Sequence, residues 1–176
     1  WRDKNDTGTI TASKDEFTRN ENKKRNKALK TYLASLGYAL TPVKGSYIEN
    51  FNTEDAVEVG ENVFFVVDMR DKGKLEQDLR EAGEKFNQDS IMFIPKGGEK
   101  SFLWGTTDKP NNFPPYGTKE TLDARKMGKE GEFMTRVNGR PFLFEEVEEE
   151  LIYADGYLGR MAAKKMWNRL VEELNL

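Results

Sequence analysis

Apolar residues recur along this chain with two different periods, and the switches between them predict most of its elements. Leu29, Tyr32, Leu33 and Leu36 fall at helical spacing, which predicts a helix over about residues 20–36. Thr18 and Glu21 form a T-x-x-E capping box before it, in which side-chain oxygens satisfy free amide donors of the first turn, and Gly37 is the expected stop. The β-branched alternation from Gly8 to Ala12 predicts a short strand, and Tyr38 to Ile48 a second one. Pro42 and Gly45 interrupt that second segment, which makes it an edge or a bent strand. Val63-Phe64-Phe65-Val66-Val67 is apolar without a break, as expected of a strand buried on both faces at the centre of a sheet. Leu75, Leu79, Ala82 and Phe86 then predict a second helix over about residues 72–87, with Asp71 as its N-cap. Ser90 to Pro95 and Ser101 to Trp104 read as two short strands, joined by a tight hairpin turn at Lys96-Gly97-Gly98-Glu99.

The order β-α-β-β-α-β with one added hairpin strand predicts an α/β (α+β) fold. Its economical form is a two-layer, ferredoxin-like sandwich with both helices on one sheet face. Thr106 to Gly131 is rich in Pro, Gly and Asn and reads as a long surface loop, and Arg140 to Phe144 as an extended segment. Glu145 to Leu151 is an acidic run fit to start a helix, and Asp155 to Leu174 is amphipathic. The expected organisation is a single α/β domain over residues 1–144 and a C-terminal helical appendage over 145–176 packing on it.

Composition changes this picture in two ways. A mean hydropathy of -0.80 with 36% hydrophobic residues points toward disorder, but 11% aromatic residues spread along the chain supply the surface a packed core needs. The protein is therefore expected to fold with a very polar exterior. No apolar run approaches the roughly 18 residues of a membrane span and no signal peptide opens the chain, so a soluble, cytoplasmic protein is expected. Trp1 in place of Met predicts a start inside a longer precursor.

The second change comes from what is missing: the sequence has no cysteine and no histidine. That excludes disulfides, Cys/His zinc sites, Cys-His and Ser-His-Asp nucleophiles and imidazole proton shuttles. No metal site and no cofactor are expected. Carboxylates, Lys, Tyr, Ser/Thr and Arg remain for any chemistry, and the missing imidazole and thiol favour a protein that works by binding. Charge falls in blocks, +4 over residues 1–50, -6 over 51–90, +3 over 91–140 and -4 over 141–176, and this acidic balance disfavours a nonspecific nucleic-acid binder.

One polar group stands out. At about 100° per residue, Asn22 and Arg25 lie on the face of the first helix that carries Leu29, Leu33 and Leu36. An amide and a guanidinium turned toward a sheet need partners, since leaving them buried and unpaired costs several kcal/mol. Glu49, Glu61 and Gln88 are the candidates, and Asn22, Arg25, Glu49, Glu61 and Gln88 together form the candidate ligand site, with Glu49 and Glu61 as candidate bases. A buried Arg–Glu network that binds nothing is the other reading of the same residues. Elsewhere, Trp104, Phe113 and Tyr116 with Lys109 and Lys119 either pin the long loop to the body or stack a base or sugar.

Thr11-Ala12-Ser13, Asn22-x-x-Arg25, Leu36-Gly37-Tyr38, Pro42-Val43-x-Gly45-x-Tyr47-x-Glu49, Val59-x-Glu61-x-x-Phe64, Phe86-x-Gln88-Asp89-Ser90, Leu103-x-Gly105-Thr106 and Pro115-Tyr116-Gly117 follow one another at characteristic spacing. In this the chain resembles a group of uncharacterised small proteins carried mainly by tailed phages and prophages, over about residues 9–133. The resemblance implies a phage origin and an accessory role, and supplies no reaction. The first expectation is an accessory binding protein that acts on a host macromolecule in takeover or anti-defence, with a host or phage protein as its partner. A protein or enzyme for a nucleotide or other small anionic ligand, using Arg25 with Glu49 or Glu61, is the second, and a minor virion component is the third. Nucleic acid is a less favoured partner, and no membrane association is expected.

Overall fold

The computed structural model describes residues 4–49, 57–98, 100–123, 133–137, 140–141, 164, 167–168 and 171–172. The elements run β1 (Thr7–Ile10), α1 (Arg19–Ser35), β2 (Ala39–Glu49), β3 (Val57–Val67), α2 (Leu75–Lys85), β4 (Ser90–Ile94), β5 (Lys100–Gly105), β6 (Lys119–Asp123), β7 (Phe133–Val137) and β8 (Arg140–Pro141). The strands form one sheet in the order β6-β5-β4-β1-β3-β2-β7-β8, and every neighbouring pair is antiparallel. Both βαβ crossovers are split: β3 lies between β1 and β2, and β1 between β3 and β4. The result is the expected α+β sandwich. No helix among the described residues is long and apolar enough to cross a membrane.

Strand alternation explains how the unbroken apolar run of β3 is used. Phe64 and Val66 join Ile10, Leu40, Ile91 and Phe93 under Ala28, Leu29 and Leu33 of α1 and Leu75, Leu79 and Ala82 of α2. Phe65 and Val67 turn to the opposite face and pack with Ala39 and Val43 in a second cluster. Thr18 caps α1 as a full capping box. Trp167, in a helical segment near the C-terminus, rests on the helix side with its ring 4.9 Å from Tyr32 and 5.9 Å from Phe86. The acidic run at 145–151 and the extended residues 142–144 lie outside the described residues.

Three expectations are corrected. The second helix begins at Leu75, not Lys72, and Asp71 does not cap it; Lys74 occupies the N-cap without a side-chain bond. Asp71 and Gly73 have φ of 50° and 66°, left-handed values that no helix entry permits. The turn is organised instead by the buried Asp68, whose carboxylate accepts from the backbone N–H of Arg70, Lys72 and Gly73. Secondly, β2 is not broken at Pro42. It runs on to Glu49, and Pro42 is tolerated because pairing with β7 starts only at Lys44, so among the described residues β2 has one neighbour at Pro42 and is an edge there, as expected, before it becomes interior. Thirdly, the loop after Thr106 contains the strand β6. Lys119, Glu120 and Thr121 of β6 are exposed, so the segment carries no alternating apolar signal.

Tyr38 is wholly buried and donates its hydroxyl to the Asp78 carboxylate. Burial, then Asp78, push its pKa far above the ordinary value of 10.0. The folded protein keeps this proton after the unfolded chain releases it, so the stabilisation is complete below about pH 10 and shrinks by about 1.4 kcal/mol per pH unit above it. Denaturant titrations at pH 9 to 11.5 should show a shallower alkaline loss of stability in Tyr38→Phe than in the parent; equal slopes would contradict this account.

Candidate functional site

The C-terminal end of β1 gathers three loops. β1 leads into residues 11–18 before α1, α2 leads into 86–89 before β4, and β5 leads into 106–118. The registers Gly105↔Ser90, Met92↔Thr9 and Ile10↔Phe64 set these segments side by side. Beyond Phe64 the β2–β3 ladder continues past the end of β1 to the pair Glu49↔Val57, so the strand arms rise on the same side. Thr11-Ala12-Ser13, Asn22-x-x-Arg25, Phe86-x-Gln88-Asp89 and Gly105-Thr106, scattered in the sequence, converge on this one end.

Side chains from the first turns of α1 hold the loops. Asn22 accepts from Lys14 N–H at 2.9 Å and donates through Nδ2 to the carbonyls of Lys14 at 2.8 Å and Phe17 at 3.2 Å. Arg25 donates from Nε to the Ala12 carbonyl at 2.9 Å and from Nη2 to the Phe86 carbonyl, joining the first loop to the second, and its guanidinium lies 4.5 Å over the Phe17 ring. Gln88 donates to the Ser13 and Phe86 carbonyls at 3.4 and 3.3 Å. Asn26 accepts from Ala12 N–H and donates to Ser13 Oγ. Burial lowers the Arg25 pKa, an effect the nearby Glu16 carboxylate opposes.

Of the five residues singled out from the sequence, the structure therefore brings Asn22, Arg25 and Gln88 together, and among the described residues the hydrogen-bond partners of Arg25 are backbone carbonyls. Glu49 and Glu61 are located by register alone, their side chains lying outside the described residues. Glu61 stands opposite Gly45, four rungs from the Glu49 rung, which is about 13 Å along a strand. Alternation puts both positions in phase with Val43 and Phe65 of the second cluster, and out of phase with Leu40 and Phe64, which meet the helices.

The third loop is zipped to the second by polar groups. Thr106 Oγ1 donates to the Gln88 carbonyl at 2.6 Å, Thr107 Oγ1 to Asn87 Oδ1 at 2.9 Å, Lys109 Nζ to Asp89 Oδ1 at 2.9 Å and Asn112 Nδ2 to the Asp89 carbonyl at 2.9 Å. Aromatic pinning, one of the two readings of this loop, holds in part: Phe113 and Tyr116 are 61% and 50% exposed, yet the Tyr116 hydroxyl donates to Glu84 Oε1 of α2 at 3.1 Å. Backbone pairing between Gly105 and both Gly117 and Thr118 does the rest. Lys14 is the least expected member of the site. Its side chain is only 10% exposed, with Nζ 3.0 Å from the Asn87 carbonyl and 3.4 Å from Glu16 Oε1. Burial, then the adjoining ammonium of Lys109, lower its pKa. Asn26 was legible as the i+4 neighbour of Asn22; Lys14 and Lys109 carry no periodic signal, because loops have none.

A family model described as the S-Adenosylmethionine lyase family matches residues 8–145. No curated protein and no solved structure matches the chain. The match overturns the expectation of an accessory protein that works by binding a host macromolecule, and with it the virion alternative, since the family is one of enzymes. The missing imidazole and thiol had favoured binding over catalysis only on the assumption that a reaction would need them.

Proposed function

The chain belongs to the S-adenosylmethionine lyase family, and from that membership we propose that it cleaves a carbon–sulfur bond of S-adenosylmethionine without the entry of water. The observation that carries this reading is the extent of the match, which runs from Gly8 in β1 to beyond β8 and takes in both helices and all three loops of the polar end.

The chemistry suits a chain without histidine or cysteine. The sulfur of S-adenosylmethionine is a sulfonium, so it leaves as a neutral thioether and takes the bonding electrons with no proton supplied. A general acid for the leaving group, the usual task of an imidazolium, is unnecessary. The methyl carbon has no β-hydrogen, which directs a lyase to the two longer arms of the sulfonium. There, either a protein carboxylate takes the proton from the carbon β to sulfur as a double bond forms and the C–S electrons leave with sulfur, or the substrate's own carboxylate bonds to the carbon of its arm that carries the sulfur and closes a lactone as the thioether leaves; neither route needs a thiol nucleophile. The protein's part is to bind, orient and exclude water.

The polar end of the sandwich is the place we assign to this reaction. Asn22, Arg25 and Gln88 build its frame through the loop carbonyls they hold. Glu49 and Glu61 lie on strand arms that pass beyond β1 at that end, but in phase with the second cluster and so on the sheet face away from α1 and α2, and they are given no part in this frame. Such a substrate, a nucleoside bearing a zwitterionic head and a sulfonium, shares the nucleoside of the ligand expected from Arg25 but not its anionic charge. A cytoplasmic location follows from the substrate, and a phage or prophage source from the motif resemblance. Chromatography of S-adenosylmethionine incubated with the purified protein tests the proposal: loss of substrate with release of a thioether nucleoside is expected, and substrate left intact would overturn it.

A further inference from the structure

The polar end holds an arrangement of charge that the frame described above does not use. Lys14 and Lys109 come from different loops, and each is paired with one carboxylate, Glu16 at 3.4 Å and Asp89 at 2.9 Å. Both ammonium groups are tied to the short segment 87–89: Lys14 donates to the Asn87 carbonyl, the neighbouring Thr107 to the Asn87 side chain, and Lys109 to Asp89. Two like charges on one three-residue segment, one of them nearly buried, repel each other, a cost that Glu16 and Asp89 partly offset. An anion received between them removes that cost. Lys109 spends one of its three donor hydrogens on Asp89 and keeps 41% of its side chain exposed, so donors remain for a ligand. Glu16 and Asp89, 58% and 59% exposed, flank the two ammonium groups and supply acceptors for a cation.

We propose that this group of two ammonium groups flanked by two carboxylates, Glu16–Lys14 and Lys109–Asp89, receives the amino-acid head of the substrate, the two ammonium groups taking its carboxylate and a flanking carboxylate its α-ammonium. The inference rests on the lyase reading and assigns Lys14 and Lys109 to positioning of the substrate. A zwitterion is the ligand class that matches both signs at once; a phosphate would meet Glu16 and Asp89 as repulsive neighbours.

Steady-state kinetics on Lys109→Met and Lys109→Arg tests it, with 5′-methylthioadenosine, the same molecule without its amino-acid head, as a competing inhibitor. Lys109→Met is expected to raise the KM for S-adenosylmethionine about tenfold or more, to change kcat less than threefold and to leave the inhibition constant of 5′-methylthioadenosine within twofold. Lys109→Arg should recover most of the KM. An unchanged KM, or a KM and an inhibition constant that rise together as they would after damage to the loop, overturns the assignment while the parent's turnover leaves the lyase reading standing. A parent protein that consumes no S-adenosylmethionine overturns both.

Discussion

Gly105→Ala should lower the stability of the folded protein by about 2–3 kcal/mol and reduce turnover of S-adenosylmethionine by more than its effect on folding explains. A Cβ at position 105 would lie 2.1 Å from the Pro114 carbonyl oxygen and 2.4 Å from that of Pro115. Both obstacles are backbone, so no rotamer change relieves them. Gly105 is also where the loop is fastened, donating to the Thr118 carbonyl and accepting from Gly117, each at 3.0 Å. To admit a methyl group the 114–118 segment must lift away, and the loop that carries Lys109 and Asn112 follows it. Urea denaturation of the variant, alongside its KM, separates the two effects. Stability within 0.5 kcal/mol of the parent would show that the loop is less tightly seated than these distances require.

Arg25→Ala is the second large effect, a destabilisation of about 2–4 kcal/mol. The truncation removes a charged donor from two carbonyls, Ala12 and Phe86, that belong to different loops, together with the cation held over Phe17. Water can reach part of this site, since Arg25 is only partly buried, which holds the loss below that of a fully enclosed ion. Arg25→Lys should recover less than half of it, because one ammonium cannot span two carbonyls in the fork geometry of a guanidinium. Thermal and denaturant melts of the three proteins check the ranking. If Arg25→Ala melted with the parent, Arg25 would have no part in holding the polar end.

The frame of the fold could be read from the sequence because its signals are local. The stripe from Leu29 to Leu36, the capping box at Thr18 and the unbroken run at Val63–Val67 each state their own burial, and α1 and the centre of β3 lie where these signals put them. The start of α2 was misread because Asp71 is a good N-cap by type, whereas the left-handed backbone at Asp71 and Gly73 belongs to a turn anchored by the buried Asp68 three residues earlier. β6 was missed because its residues Lys119 to Thr121 are polar and exposed and so show no apolar period.

The candidate site was half legible for the same kind of reason. Asn22 and Arg25 betray themselves by sitting on an apolar helix face, and Gln88 by following the second helix. Their partners are main-chain carbonyls of Ala12, Ser13, Lys14, Phe17 and Phe86, which every residue has and no sequence pattern marks. Glutamates are the partners a sequence makes visible, and the side chains of Glu49 and Glu61 lie outside the described residues. The absence of histidine misled in a similar way. It removes acid–base machinery, and that points to a binding protein only when the leaving group needs a proton; a sulfonium does not.

The most direct test of the central claim, cleavage without water, is turnover of S-adenosylmethionine in H₂¹⁸O with mass analysis of the first products before any later hydrolysis. The account predicts that substrate disappears and that neither fragment carries ¹⁸O. A fragment labelled from its first appearance would make the protein a hydrolase and contradict the account.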